Sequence, residues 1–178
     1  MQQQNVAIVV STTKKLINLF ELMIMRNRFQ VFPLRFSPGY LISRTALLMR
    51  TRLHQGFTSN GFDVTTDQWA VLNRLWEKEG IYQSQLADLT RKDRHSITRT
   101  LQIMERKDLI VRQSDTKDAR RTLIFLSEKG RKLKEQLIPV VVQTLEEAFE
   151  GVTDQELVHL EEIHQKIQNN IEKENRKI

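Results

Sequence analysis

The chain has 178 residues, 39% apolar and 28% charged, which is enough apolar content for one good-sized core and excludes wholesale disorder. Lys and Arg outnumber Asp and Glu by 28 to 22, for a net charge of +6. There is no cysteine, which excludes disulfides, thiolate nucleophiles, zinc–cysteine sites and oxidation sensing through a thiol.

The charge is unevenly spread. Residues 80–134 carry fourteen Lys/Arg against seven Asp/Glu, whereas residues 135–178 carry four against ten. A basic block beside an acidic block predicts one polyanion-binding module and a second module with another task. No apolar run approaches the ~18 residues of a membrane span. The start, "MQQQNVAIVV", has neither the charge nor the cleavage site of a signal peptide, so a cytoplasmic location without stable membrane insertion is expected.

Residues 1–36 read as a variable N-terminal arm. Within it "LINLFELMIM" (16–25) is apolar on nearly all sides between basic residues, so packing on a partner or on an anionic membrane surface is its rival reading. At "SPGY", Ser37 suits an N-cap and Pro38 the first helical position, opening a helix over Tyr40–Phe57 that "TSNG" stops. "TTDQ" (65–68) is a capping box that opens a second helix, with Trp69, Leu72 and Trp76 on one face and Gly80 as its end. Two short helices follow, Gln83–Leu89 and Asp93–Lys107, with "TRK" as the turn and Asp93 as the N-cap. Ile97, Leu101 and Met104 form the buried stripe of the second. "LIVRQ" (109–113) and "RTLIFLS" (121–127) predict a hairpin with a long polar tip. Ser127 caps a helix from Glu128 to about Phe149, with a kink expected at Pro139. "TDQE" (153–156) is another capping box, and Leu157, Leu160, Ile163, Ile167 and Ile171 form a seam on the last helix.

Leu86 and Ala87 on one short helix, with Ile97 ten residues beyond Ala87, give the spacing of a helix-turn-helix. The turn position often held by Gly is Arg91, which suits a looser turn. The basic hairpin that follows makes the arrangement a winged helix. Arg94, His95, Ser96, Thr98 and Arg99 fall opposite the apolar stripe or at the helix N-terminus, where a major groove would receive them. Lys117, Asp118, Arg120 and Arg121 sit at the hairpin tip, within reach of an adjacent minor groove. The competing reading is that these arginines only solvate an exposed face.

From Ser37 to about Glu172 the chain resembles winged-helix transcription factors of the MarR (multiple antibiotic resistance regulator) type. "DARRTLIFLS" (118–127) matches the wing signature D-x-R-x-x-x-x-x-L-T, with Ser127 in place of the final Thr. "LADLTRKDRHSITRTLQIMERKDLI" and "LSEKG" are similar to the family as well. The resemblance implies a homodimer with interlocked terminal helices and two winged helices on a pseudopalindromic operator. It also implies that Arg120 is the minor-groove arginine, held by Asp118; the residues alone do not separate Arg120 from Arg121. The surplus apolar stripes on the first and last two helices give the dimer a physical basis of their own.

The expected fold is thus mainly α with a small β-hairpin wing. Residues 63–127 form the winged helix-turn-helix lobe, and 37–62 with 128–173 form a helical dimerisation region. The expected function is that of a DNA-binding regulator, a repressor by expectation, released by a small aromatic or anionic effector. By position in the family, Tyr40, Arg44, Arg50, Trp69 and Trp76 are the effector candidates, against core packing for the tryptophans and intersubunit pairing for the arginines. No cofactor or metal is expected. "HLEEIH" (159–164) is not a metal motif, and no phosphate-binding Gly-rich loop or Ser/His/Asp arrangement is present, so an enzyme is not expected. The rival function is a winged-helix protein-interaction module or a membrane-associated adaptor.

Overall fold

Capping chemistry sets most element boundaries in the computed structural model, which describes residues 37–116, 118 and 120–175. The apolar segment 16–25 and Lys117 lie outside the described residues. Six helices and three strands are present among them: α1 (Pro38–Ser59), α2 (Thr66–Glu77), β1 (Ile81–Tyr82), α3 (Gln83–Leu89), α4 (Arg94–Arg106), β2 (Ile110–Ser114), β3 (Thr122–Leu126), α5 (Glu128–Ala148) and α6 (Asp154–Asn175). The chain falls into two units, residues 1–47 and 48–178, with the division inside α1.

Both expected capping boxes form. The Thr65 hydroxyl accepts from the Gln68 amide at 3.2 Å while the Gln68 side chain accepts from the Thr65 amide at 3.1 Å. Thr153 and Glu156 repeat the exchange at the start of α6. The Asp93 carboxylate takes the amides of His95 and Ser96 and the Ser96 hydroxyl, so these bonds hold its carboxyl below the ordinary range. Helix α2 stops at Glu77, three residues short of the expected Gly80. Gly80 instead takes φ +69 and donates its amide to the Ile124 carbonyl at 3.0 Å, steering the chain into β1. Pro139 does not divide α5, which runs through it as one element.

The turn of the helix-turn-helix is not loose. Past α3, the Arg91 amide bonds the Asp88 carbonyl at 3.1 Å and the Lys92 amide the Ala87 carbonyl at 2.9 Å, the double closure of a Schellman cap. Arg91 takes the left-handed position there with φ 52, which costs a non-glycine residue about 1 kcal/mol. Past α4 the same closure recurs with Asp108 at φ 56.

The expected hairpin forms from β2 and β3, and β1 extends it into a three-stranded antiparallel sheet in the order β1-β3-β2. Ile81 pairs with Ile124 and Tyr82 with Leu123, so the two-residue β1 stitches the start of the helix-turn-helix to the wing base. The core lies where the helical stripes meet this sheet. Phe57 from α1, Leu72 and Leu75 from α2, Leu86 from α3, Ile97, Leu101 and Met104 from α4, Ile124 from β3 and Leu137 from α5 are all essentially inaccessible. Ser127 closes the junction between β3 and α5: its hydroxyl donates to the Asp108 carbonyl at 2.6 Å and accepts from the Gly130 amide at 3.0 Å. Both bonds use only the hydroxyl, the group that serine shares with the threonine of the wing signature it resembles.

Glu79 clamps the same region. It accepts from the Leu126 amide at 3.1 Å and from two nitrogens of Arg131 at 2.8 and 2.7 Å, and the Arg131 bond above all holds its carboxyl below the ordinary 4.5. A depressed carboxyl contributes stability that is present above the unfolded value and lost as pH falls through the folded one. Stability is therefore expected to decline on acidification below about pH 4.5, and Glu79→Gln should flatten that decline. Urea titrations of both proteins at pH 7 and at pH 3.5 test this; an unchanged difference between the two pH values would refute the assignment.

Candidate nucleic-acid interface

Helix α4 presents opposite faces to the core and to solvent because its apolar residues recur at three- and four-residue spacing. Ile97, Leu101 and Met104 face inward, while Arg94, His95, Ser96 and Arg99 are exposed. His95 and Arg99 are one turn apart and so share a face. Thr98 is half-buried and its hydroxyl is engaged twice, donating to the Arg94 carbonyl at 2.6 Å and accepting from the Gln83 amide group at 2.8 Å. It ties α3 to α4. Arg112 on β2 reinforces the packing: its Nε lies 3.2 Å from the Glu105 carboxylate and a terminal nitrogen reaches the Thr98 carbonyl at 3.4 Å.

At the wing, Asp118 accepts from both the backbone amide and the Nε of Arg120 at 3.1 Å. Its carbonyl also takes the Arg121 amide at 2.9 Å, folding the tip into a turn. The Arg120 side chain remains 92% exposed. Its neighbour is held differently. The Arg121 guanidinium lies 3.5 Å from the centroid of the Tyr82 ring, a cation–π contact. The Tyr82 hydroxyl donates to the Asp115 carboxylate, and that bond raises the phenol above its ordinary value of 10.0.

Between wing base and α4 lies a concave surface that brings Arg94, Arg120 and Arg121 together with Tyr82, Gln83 and Ser84. The sequence reading missed Tyr82, Gln83 and Ser84. The signal available was "GIYQSQ", a β-prone pair directly before a helix, too short to read as a strand. His95 and Arg99 do not line this surface, since they sit on the outward face of α4.

Of the three arginines lining this surface, Arg120 is compensated by Asp118 and Arg94 and Arg121 are not, among the described residues. Among the described residues Arg94, Arg99 and Arg121 have no carboxylate within ion-pair distance, whereas Arg50, Arg52, Arg74, Arg112 and Arg131 each have one. Unpaired arginines converging from two elements suit a polyanion.

Tyr40 and Arg44 sit exposed on the first part of α1. Trp69 and Trp76 pack on the core, their ring centroids 5.4 Å apart, and the Trp76 indole N–H donates to the Gly130 carbonyl at 2.9 Å. Arg50 binds one oxygen of Asp67 at 2.7 Å, and Lys92 of the helix-turn-helix turn binds the other at 2.9 Å. Burial pushes the Asp67 carboxyl up, but the two cations together hold it below the ordinary range. No group of His, Asp or Glu side chains suited to a metal occurs among the described residues, and no described helix is long and apolar enough to cross a membrane.

A family model described as MarR family matches residues 64–122, the stretch from the end of the α1–α2 loop to the start of β3. Over 112 residues the chain is 28% identical to an uncharacterized HTH-type transcriptional regulator, YybA, of Bacillus subtilis (strain 168), covering 63% of this chain and 75% of that protein. It is similar to a solved MarR-family transcriptional regulator from Rhodococcus sp. RHA1, with TM-score 0.65, 25% identity, and coverage of 72% of this chain and 90% of that one. BpsR of Bordetella bronchiseptica, whose DNA binding is regulated by 6-hydroxynicotinic acid, superposes with TM-score 0.71 over 78% of this chain and 98% of its own. At 20% identity that last likeness is one of fold.

Proposed function

The chain belongs to the MarR family of transcriptional regulators, and on that premise we propose that it is a sequence-specific DNA-binding regulator acting as a homodimer, a repressor in its simplest form. The observation that carries the reading is the pair of basic elements with unpaired arginines, exposed α4 and the wing, set side by side. Helix α4 would enter a major groove, with His95 and Arg99 toward base edges, and Arg120 would reach the neighbouring minor groove. Lys117 and Arg121 would add charge toward the backbone, while Asp118 orients Arg120. Ser96 and Thr98, whose hydroxyls already serve the protein, would contribute to the shape of the surface.

The dimer reading is supported by apolar side chains left in water. Leu160, Ile163, Ile167 and Ile171 follow one stripe of α6 and are 36–57% exposed, and Leu48 of α1 is 59% exposed. A contiguous exposed stripe of this kind is costly unless a partner covers it. Two copies related by a two-fold axis would read half-sites about one turn, roughly 10 bp, apart. Affinity selection of random duplexes tests this, with a two-fold symmetric site as the expected product; a single asymmetric site bound by a monomer would refute it. On the selected site, Arg120→Ala is expected to weaken binding across many sequences and to flatten the salt slope by roughly one unit. An unchanged slope would take Arg120 off the DNA.

For control by a small anionic effector, the Arg50–Asp67–Lys92 bridge offers a route. A carboxylate ligand at Arg50 would compete with Asp67, whose other oxygen holds the helix-turn-helix turn through Lys92. The shift in operator affinity is bounded by the ligand's differential affinity for the two states. Titration of simple aromatic carboxylates against the operator complex, with Arg50→Ala alongside, tests it; release of the mutant complex at the wild-type concentration would remove Arg50 from the effector site.

A further inference from the structure

The two adjacent arginines of the wing are held in different ways, and the difference implies different targets. Arg120 projects into solvent with only Asp118 steering its Nε. Arg121 is docked over the Tyr82 ring with its guanidinium carbon 3.5 Å from the centroid, and Tyr82 is itself fixed three ways: by pairing of β1 with β3, by its hydroxyl on Asp115, and by its place ahead of α3. Stacking uses the face of a guanidinium and leaves its N–H edges available. Those edges lie beside the concave surface between wing and α4, which Arg94 and Ser84 also line. Among the described residues, Arg94 and Arg121 meet no carboxylate there, whereas Arg120, which also lines the surface, is paired with Asp118, and the exposed Ser84 hydroxyl has no hydrogen-bond partner. The floor is Ala87 and Ile97, which are buried and supply no competing acceptor side chain.

Duplex geometry says what belongs in such a notch. Major and minor grooves are separated by one sugar–phosphate backbone, so a protein with a helix in one groove and a wing in the other must straddle that backbone. We propose that the notch between wing base and α4 seats a backbone phosphodiester of the duplex, held by Arg121 and Arg94 with Ser84, and that Tyr82 is the positioning residue that sets Arg121 against it. This rests on the DNA-binding reading above and adds a ligand group and a division of labour between Arg120 and Arg121. Paired N–H donors match phosphate oxygens in geometry as well as charge.

The test uses the full chain and its selected duplex, with single phosphates replaced in turn by neutral methylphosphonates. Wild type is expected to lose roughly tenfold in affinity at one seated phosphate per half-site. Arg121→Gln should bind the unmodified duplex roughly tenfold more weakly and be indifferent to that replacement. Tyr82→Leu should copy it, Tyr82→Phe (which keeps the ring) should stay sensitive, and Arg120→Ala should stay sensitive as well. If Arg121→Gln remains as sensitive as wild type at every phosphate, the assignment is overturned, and because Arg121 is exposed that variant does not depend on refolding a core. If Tyr82→Leu is folded by thermal melting yet retains full sensitivity, the positioning role of Tyr82 is overturned while the seat survives. Failure of the wild-type chain to bind any duplex would overturn the DNA-binding reading itself, an outcome distinct from either.

Discussion

Gly130→Ala is expected to destabilise the protein by about 3 kcal/mol or more, a larger loss than any other single methyl addition at its glycines. A Cβ built at Gly130 would stand 2.0 Å from the Leu109 carbonyl oxygen and 3.1 Å from its carbon. The obstacle is backbone, fixed by the Schellman closure after α4 and by the Ser127 amide, which donates to the same Leu109 carbonyl at 3.1 Å. It cannot swing aside as a side-chain tip would. Moving it would also disturb the Trp76 indole bond to the Gly130 carbonyl and the Ser127 hydroxyl bond to the Gly130 amide, since all three meet within one turn. Gly39→Ala is the control: its nearest neighbour would be the Ser37 hydroxyl at 3.9 Å, so the better helix propensity of alanine should leave stability equal or slightly higher. Urea or thermal unfolding of the two variants decides the matter. A Gly130→Ala protein within about 1 kcal/mol of wild type would show that the β3–α5 junction yields far more than its bonding suggests.

The second large effect is on recognition. Arg99→Ala is expected to cost about 1–3 kcal/mol in affinity for the selected duplex, roughly five- to 150-fold, and much less on unrelated sequence. Arg99 shares the outward face of α4 with His95, is exposed and is free of any ion pair among the described residues, so its fork is available to a base edge. His95→Ala should relax preference at a neighbouring position with a smaller loss. Arg94, at the helix start and lining the notch, belongs with Arg121: Arg94→Ala should weaken selected and scrambled duplexes alike. Binding curves on both duplexes separate the cases. Equal losses for Arg99→Ala on both, with an unchanged selected sequence, would remove α4 from the major groove.

Local chemistry carried much of the fold into the sequence. Thr65 with Gln68, Asp93, Ser127 and Thr153 with Glu156 each announce a helix start, because the group that satisfies an orphan amide lies within three residues of it. The stripe Ile97, Leu101 and Met104 fixed which face of α4 meets solvent, and with it the exposure of His95 and Arg99. What failed was non-local or conformationally costly. Strand β1 is two residues long and exists only because β3 offers it partners 41 and 43 positions further along the chain (Tyr82 with Leu123, Ile81 with Ile124), so no periodicity could reveal it. The end of α2 at Glu77 and the new task of Gly80 follow from that same pairing. Arg91 in a left-handed cap defeats any rule that waits for glycine, since its cost is met by contacts formed elsewhere.

The sequence by itself determined the helices, the sign and place of the basic surface, the absence of thiol chemistry and the family likeness of residues 118–127. Only the tertiary structure decided which of the two exposed neighbouring arginines projects freely and which is docked on a ring. Arg120 and Arg121 are chemically identical and adjacent, so nothing in local pattern distinguishes them. The difference arises because β3 brings Tyr82 beneath Arg121, and the ring face then gives that one cation a fixed seat while Arg120 stays in water.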